Sequence, residues 1–484
     1  DVIRVEDTYY MVSTTMHFMP GCEILQSFDL VHWEHVTYVY ETLDHTDAQQ
    51  LKSGQNIYGQ GMWAASLRYH EGRFWICFVA NDTRKTYLYT SEKIDGPWKK
   101  QLIEGFYHDG SLLFDEDGRN YIVYGNDEIW ITELNEDLTA PKKDGLHRLL
   151  VSDHKNPELG YEGSHIQKIN GYYYIFLVHS LRDRWMRTEA CFYSDSLEGE
   201  FTGGDVLCDD RGYCGQGVAQ GGIVDTPDGK WYAMLFQDSG AVGRIPILLP
   251  VTWKDHFPVF GQNGHVPEEI EVHSTRPGYI YQPLVGSDDF CNGLLPRWQF
   301  NHDPDPRYYH LDALQGTYTI TTREVCTELT QAVNTLTQRM SYPSCAAEVT
   351  VDASALKEGD VAGLCALQGC YAAVGITKHH GKYEVLMLDK KEDGILDMTE
   401  GTVVESHQMD FRLEADFCNM KDEARCYYRV NKGDWLPIGT VHKLYFKLDH
   451  FTGCRFGLFC YAAEETGGSA CFRDFKYYDV DEIS

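Results

Sequence analysis

The sequence predicts an all-β protein, a five-bladed β-propeller followed by a β-sandwich. Three observations carry that expectation: an aromatic strand motif recurs five times, a second motif is interleaved with it, and both stop after the run that ends at Gly261. Aromatic residues make up 13% of the 484 residues, with 32 Tyr and 10 Trp, and such side chains favour strands. No helical period longer than about two turns is evident.

The first motif is a polar turn followed by an aromatic or β-branched run. It reads Glu6-Asp7-Thr8-Tyr9-Tyr10-Met11-Val12, then Glu71-Gly72-Arg73-Phe74-Trp75-Ile76-Cys77, then Asp117-Gly118-Arg119-Asn120-Tyr121-Ile122-Val123. The fourth and fifth copies are Asn170-Gly171-Tyr172-Tyr173-Tyr174-Ile175-Phe176 and Asp228-Gly229-Lys230-Trp231-Tyr232-Ala233-Met234. Turn pairs of this kind close tight hairpins. The second motif runs from a serine through an aliphatic residue to an aromatic, as in Ser27 to Trp33, Ser91 to Trp98 and Ser194 to Phe201. A two-part, strand-rich unit recurring every roughly 45–65 residues is what propeller blades give. A Pro-marked stretch follows through Pro267, Pro277 and Pro283, which places the propeller at 1–283 and the second domain at 284–484. Beyond it, alternating runs such as those at 346–351, 383–388, 426–430 and 456–461 predict a two-sheet sandwich.

A net charge of −31 argues against nucleic acid and against anionic membrane surfaces, because both require clustered Lys and Arg. No run approaches the roughly 18–20 apolar residues of a membrane span. The 15 cysteines are scattered and mostly set in apolar strands, and Cys365 and Cys370 lack the spacing of a zinc site. Buried reduced thiols imply a reducing compartment, and the expected location is the cytoplasm. No secretory leader is visible, and the opening in a strand-like run, residues 1–12, suggests an upstream segment.

A propeller gathers the first strand of every blade around one axis, so acids at blade starts can converge. Asp109, in Tyr107-His108-Asp109-Gly110-Ser111, and Glu162, in Gly160-Tyr161-Glu162-Gly163-Ser164-His165, occupy such places before the third and fourth copies. Two carboxylates flanking one bond suit glycoside hydrolysis, one protonating the leaving oxygen while the other activates water or attacks the sugar. Asp115 and Asp117 read instead as solvent-facing turn residues.

These two segments, with the five repeats, resemble glycoside hydrolase family 43. The likeness continues through Gly61-Met62-Trp63-Ala64-Ala65-Ser66, through Gln220 to Gly229, and through Val242-Gly243-Arg244. In the second half, Ala332-Val333-Asn334-Thr335-Leu336-Thr337-Gln338-Arg339 is similar to the accessory, concanavalin-like sandwich of the family's β-xylosidases and α-L-arabinofuranosidases. The resemblance implies an exo-acting, inverting enzyme that releases xylose or arabinofuranose from hemicellulose oligosaccharides. It makes Glu162 the general acid and Asp109 a third carboxylate that orients the acid and keeps it protonated by like-charge repulsion. Arg244 would reach the sugar hydroxyls and the acidic cluster. Trp63 would wall the terminal sugar site, and Phe18, in the 16–21 loop, would help enclose the ring. The 451–455 loop of the sandwich is a candidate for the pocket rim.

The family's general base, the Asp of an Asp-Pro pair, aligns two positions before Asp1, and Asp1 takes the place after that proline. Ala219 stands where many relatives carry a histidine that helps hold a central calcium. Gln216 or Gln220 is the alternative donor, and no metal or other cofactor is expected to be required. The expected partner is a xylo- or arabino-oligosaccharide, and a homo-oligomer is compatible with this reading. Two rivals stand beside it. One is another five-bladed glycosidase class, although the fructan-cleaving Arg-Asp-Pro is echoed only by Arg182-Asp183-Arg184 and this acidic chain advertises no phosphate pocket. The other is a non-catalytic carbohydrate-binding propeller, which the conjunction of Asp109, Glu162 and Arg244 opposes.

Overall fold

A computed structural model describes residues 1–213, 215–399 and 401–479. Five four-stranded antiparallel sheets lie in the first part of the chain, and the five copies of the aromatic motif are the second strands of those sheets. They are Thr8–Ser13, Arg73–Ala80, Asn120–Asn126, Tyr172–Ser180 and Trp231–Asp238. Three of the serine-led motifs are the turns that join the third and fourth strands of the first, second and fourth blades.

Strand alternation explains why the blades assemble into a ring. Successive side chains point to opposite faces, and each blade is apolar on both. In the fourth blade Tyr173, Ile175 and Leu177 pack on Tyr121, Val123 and Ile131 of the third. Their neighbours Tyr174 and Phe176 pack on Ile223, Leu235 and Leu249 of the fifth. Five such interblade cores occur, one in each gap. The ring closes without a shared strand: Val2, Tyr9 and Met11 pack on Val224, Tyr232 and Met234, and Arg4 pairs with Asp225 beside them.

The sandwich consists of a nine-stranded and a seven-stranded sheet, with a single large core between them. Only short 3-10 turns occur among the described residues, and none of their helices is long and apolar enough to cross a membrane. The 262–286 connection lies along the first blade, where Glu34 accepts from the Gln282 amide at 2.9 Å and Thr275 Oγ1 donates to the Asp7 carbonyl at 2.6 Å.

The two domains are bolted together. The two-residue strand Phe18–Met19 leaves the first blade and pairs with Gln299–Asn301, becoming the edge of the nine-stranded sheet. Phe18 is therefore fully buried beneath the Arg455 guanidinium, 3.8 Å from its ring, and does not enclose a sugar. Met16 is equally buried and bridges Met62, so the 16–21 loop serves the domain junction rather than a pocket wall. Around Phe18 the rings of His17, Tyr58, His302 and His450 cluster at centroid separations of 4.6–5.3 Å. On the fifth-blade side, Gly243 and Gly453 approach so closely that a Cβ on Gly243 would lie 2.7 Å from the Gly453 nitrogen.

All 14 described cysteines are unpaired, nine of them buried. Asp115 is not a solvent-facing turn residue. It is buried, accepting from Lys168 Nζ at 2.7 Å and the Tyr173 hydroxyl at 2.6 Å across the gap between the third and fourth blades.

Candidate active site

Each blade delivers one residue from the start of its first strand to a cavity of about 700 Å³ on the propeller axis. In blade order these are Asp1, Trp63, Asp109, Glu162 and Gln220. In three of the five strands the register slips at this point, between Met62 and Ala65, Glu162 and His165, and Ala219 and Gly222. Bulges of this kind end the ladder and re-aim side chains.

Asp109 and Glu162 meet as their positions in the repeat imply. Asp109 has a left-handed backbone, φ 47°, a conformation Asp tolerates better than most residues. Its Oδ2 accepts from the Gly163 amide at 3.0 Å and so grips the chain next to Glu162. Gly163 also has positive φ, 67°, and a Cβ there would lie 2.7 Å from the Gln220 side chain, so both the turn and the packing require glycine. Glu162 Oε2 accepts from Asn126 Nδ2 at 2.8 Å.

His108 stands between the two acids. Its Nε2 is 3.6 Å from Asp109 Oδ2 and 3.6 Å from Glu162 Oε2. Burial works to lower this imidazole, but the charges of Asp109 and Glu162 drive it up to about 9. Asp109 is pushed above the usual carboxylate range, by its burial first and by the Glu162 charge as well. Glu162 moves the other way. Its burial would raise it, yet the His108 cation beside it, with Arg187 and Arg244 behind, holds it below the usual range. The expectation that Asp109 keeps Glu162 protonated therefore leaves out a cation that outweighs like-charge repulsion. The three groups titrate together, as one set.

The far wall is cationic. Asp238 is flanked by Arg244 Nε at 3.2 Å and Arg187 Nε at 3.4 Å. Both guanidiniums lie over the Phe236 ring, and that of Arg244 also lies 4.3 Å from the centre of Phe451. Burial and the neighbouring Arg187 lower Arg244 to about 10, so it stays charged at neutral pH. Phe451 comes from the sandwich and meets Trp63 edge to face at 5.4 Å. The 451–455 loop thus reaches the cavity, as do Phe446 and Leu448 before it.

Asp1 lines the cavity with its carboxylate almost wholly consumed. Oδ2 accepts from Arg68 Nη1 at 2.6 Å and the Leu67 amide at 2.9 Å, and Oδ1 faces His165 Nδ1 at 3.2 Å. Arg68 further donates to the Leu112 and Ile166 carbonyls at 2.8 and 3.0 Å and to Ser111 Oγ at 2.8 Å, tying four blades together on the axis. This donor arrangement does not suit a central calcium. Ala219 has no donor, the Gln220 amide oxygen is turned to Arg187 at 3.4 Å, the Gln216 carbonyl accepts from Gln237, and a guanidinium already takes the axial oxygens. Among the described residues, one other cluster of that general chemistry exists, His108, Asp109 and Glu162, and there the imidazole is itself the cation.

Of the residues anticipated from sequence, Trp63, Asp109, Glu162 and Arg244 converge on the cavity and Phe18 does not. His108, Asn126, Arg187 and Asp238 were not anticipated. Of these only His108 left a signal, a titratable group directly before a candidate acid.

The sequence profile of glycosyl hydrolases family 43 matches residues 1–258, and that of the beta xylosidase C-terminal concanavalin A-like domain matches residues 287–478. A beta-xylosidase of Formosa agariphila is 26% identical over 99% of this chain and 87% of its own length. A non-reducing end alpha-L-arabinofuranosidase of Bacteroides ovatus is 24% identical over 65% of this chain and 61% of its own. Among solved structures, a bifunctional GH43-CE protein of Bacteroides eggerthii superposes with a TM-score of 0.92 at 42% identity, covering all of this chain. This chain spans 62% of that longer protein. A GH43 enzyme engineered to display both endo-xylanase and exo-arabinofuranosidase activity gives 0.85 at 27% identity, over 99% of this chain and 97% of its own.

Proposed function

Because the chain belongs to glycosyl hydrolases family 43 and is a glycosidase of that family, we propose that it releases a terminal xylose or arabinofuranose from hemicellulose oligosaccharides with inversion. The observation that carries this reading is the Asp109–Glu162 pair, joined through the Gly163 amide, facing two arginines across one cavity. Relatives named beta-xylosidase and non-reducing end alpha-L-arabinofuranosidase support the exo assignment and both sugars.

In this scheme Trp63 and Phe451 form the apolar wall on which a sugar ring lies, and Arg244 and Arg187 donate to its hydroxyls. Glu162 protonates the leaving oxygen, with Asn126 fixing the carboxyl plane. Asp109 acts through the Gly163 amide and by charge, as a positioning residue. Asp1, which takes the place after the proline of the family's Asp-Pro, lies on the cavity wall, so the resemblance is consistent with that pair supplying the base. Inversion requires it about 6.5–9.5 Å from Glu162, leaving room for water. Neither catalysis nor binding is assigned a metal. The free cysteines support the cytoplasm or another reducing compartment.

The test is turnover of aryl β-xyloside and aryl α-arabinofuranoside, using a chain that carries the aligned Asp-Pro, with proton NMR of the first-formed sugar. Release with inverted configuration is the expected result. Retention overturns the mechanism, and binding without turnover of either substrate favours the non-catalytic propeller.

A further inference from the structure

His108 is a half-buried imidazole that the proposed mechanism leaves unused. Its Nε2 has two acceptors at equal distance, 3.6 Å each, and no nearer partner among the described residues. Gly125 N–H donates to the His108 carbonyl at 3.1 Å, and the Trp63 ring packs against the imidazole at 6.2 Å. The charged groups around it are Asp109 and Glu162 in front, with Arg84 from the second blade opposing its charge. Behind Glu162 stand Arg187 and Arg244, and the neutral amide of Asn126 completes the set.

We propose that His108 is a positioning residue that stores the catalytic proton, so that the His108–Glu162 pair retains one transferable proton throughout the neutral range. This inference rests on Glu162 being the general acid. In the free enzyme the proton sits on the imidazole and Glu162 is a carboxylate. A sugar entering the cavity expels water, and a charge-separated pair loses its solvation. The His108 Nε2–H bond then breaks and an O–H bond forms on Glu162, leaving a neutral imidazole and a carboxylic acid with no change in net charge. The 3.6 Å gap must tighten for this step, as catalytic hydrogen bonds often do on substrate binding. Glu162 passes that proton to the leaving oxygen as the glycosidic C–O bond breaks, while water forms the new C–O bond and gives its proton to the base. His108 recovers a proton from solvent after product leaves.

The arrangement makes a prediction that simple packing would not. The acid-side competence of the pair ends when the pair loses its last proton, and the two carboxylates that hold His108 up to about 9 put that loss well above neutrality. The experiment is the pH dependence of kcat/KM for wild type, His108→Gln and His108→Asn on an aryl pentoside with a poor leaving group, together with an imidazole titration by NMR on histidine-labelled protein. The expected result is a basic limb near pH 9 in wild type that falls by at least about one pH unit in both variants. The resonance missing from His108→Gln should titrate well above the ordinary value of about 6.5. A folded, active variant with an unmoved basic limb overturns the inference, and so does a His108 resonance titrating at the ordinary value. If one variant fails to fold, the other decides. If wild type hydrolyses neither pentoside, the function reading falls, and the imidazole titration alone then decides whether His108 stores a proton.

Discussion

His108, half-buried in the cavity, and His17 and His302, fully buried at the domain junction, all lose solvent on folding, yet their imidazoles are driven in opposite directions. Burial lowers all three. At the cavity two carboxylates within 3.6 Å overturn it, and His108 rises to about 9. At the junction no carboxylate offsets burial, so that His302 falls to about 3 and His17 falls well below the ordinary value. The hydrogen bonds agree with these charge states. His302 Nε2 accepts from the Ile57 amide at 3.0 Å, which only an unprotonated nitrogen can do, and neither nitrogen of His17 has a partner among the described residues. The contrast teaches that a withdrawn histidine is a cation or a neutral ring according to what faces it, and that this molecule uses both. The two environments are also neighbours in sequence: His450 belongs to the junction cluster and Phe451 to the cavity wall.

The largest effect should come from removing the acid that His108 serves. Glu162→Gln should cut kcat/KM on substrates with poor leaving groups by on the order of 10²–10⁴-fold. Activated aryl glycosides should suffer much less, and sugar binding by calorimetry should persist. Equal losses on both substrates would remove proton donation from Glu162.

Asp109→Asn tests the other side of the imidazole. The Asp109 charge is the foremost influence raising His108 against its burial, so its loss should move the basic limb of the pH–rate profile down by roughly 1–3 units, with a lower rate at the optimum. Azide should not restore activity as a glycosyl azide, since the proposed scheme forms no glycosyl–enzyme bond at this residue. An unmoved limb would separate Asp109 from the proton set.

The junction should reveal itself in acid. Because the folded protein refuses a proton that the unfolded chain accepts below about pH 6.5, stability present at neutral pH is lost as the pH falls through that value. The loss should approach about 1.4 kcal/mol per pH unit for each such histidine, continuing toward the folded value of about 3 for His302. Urea unfolding at stepped pH between 7 and 5 would measure this, and a flat profile would mean that the junction hydrates its histidines on folding.

The smallest effect is the most local. His17→Phe replaces two unpartnered buried nitrogens by carbon in a ring of similar shape, and should stabilise the protein at pH 7 by about 1 kcal/mol while removing one histidine's share of the acid slope.

Much of this architecture was legible in the chain because a propeller writes itself five times. Strands such as Tyr172–Ser180 carry apolar side chains on both faces, and only a stack of sheets satisfies both. Asp109 and Glu162 could be found because position in the repeat stands in for position on the axis. What failed was whatever depends on a partner from outside the repeat. Phe18 resembles a pocket aromatic until the sandwich supplies Asn301 as its strand partner. Asp115 sits in a turn-like Asp-Glu-Asp-Gly, and nothing local announces Lys168 and Tyr173 from the next blade. The junction rings come from four distant stretches of chain, so no window of sequence holds them. Arg187 and Asp238 lie at the ends of third and second strands, where no motif marks them.

The close approach of Gly243 to Gly453 has a consequence for how the sugar site is cut to size. Two backbones there touch without side chains between them, and a Cβ on Gly453 would lie 2.1 Å from the Val242 carbonyl oxygen. Arg244 follows one glycine directly, and Phe451 stands two residues before the other, so this seam sets the gap across which cation and ring face each other at 4.3 Å. That width of the cavity is therefore fixed at a joint between two domains. Without Phe451 and its neighbours the propeller's acids and arginines would face a vessel open on one side. A single methyl group at the seam would widen the vessel from a distance, with every residue that touches the sugar unchanged.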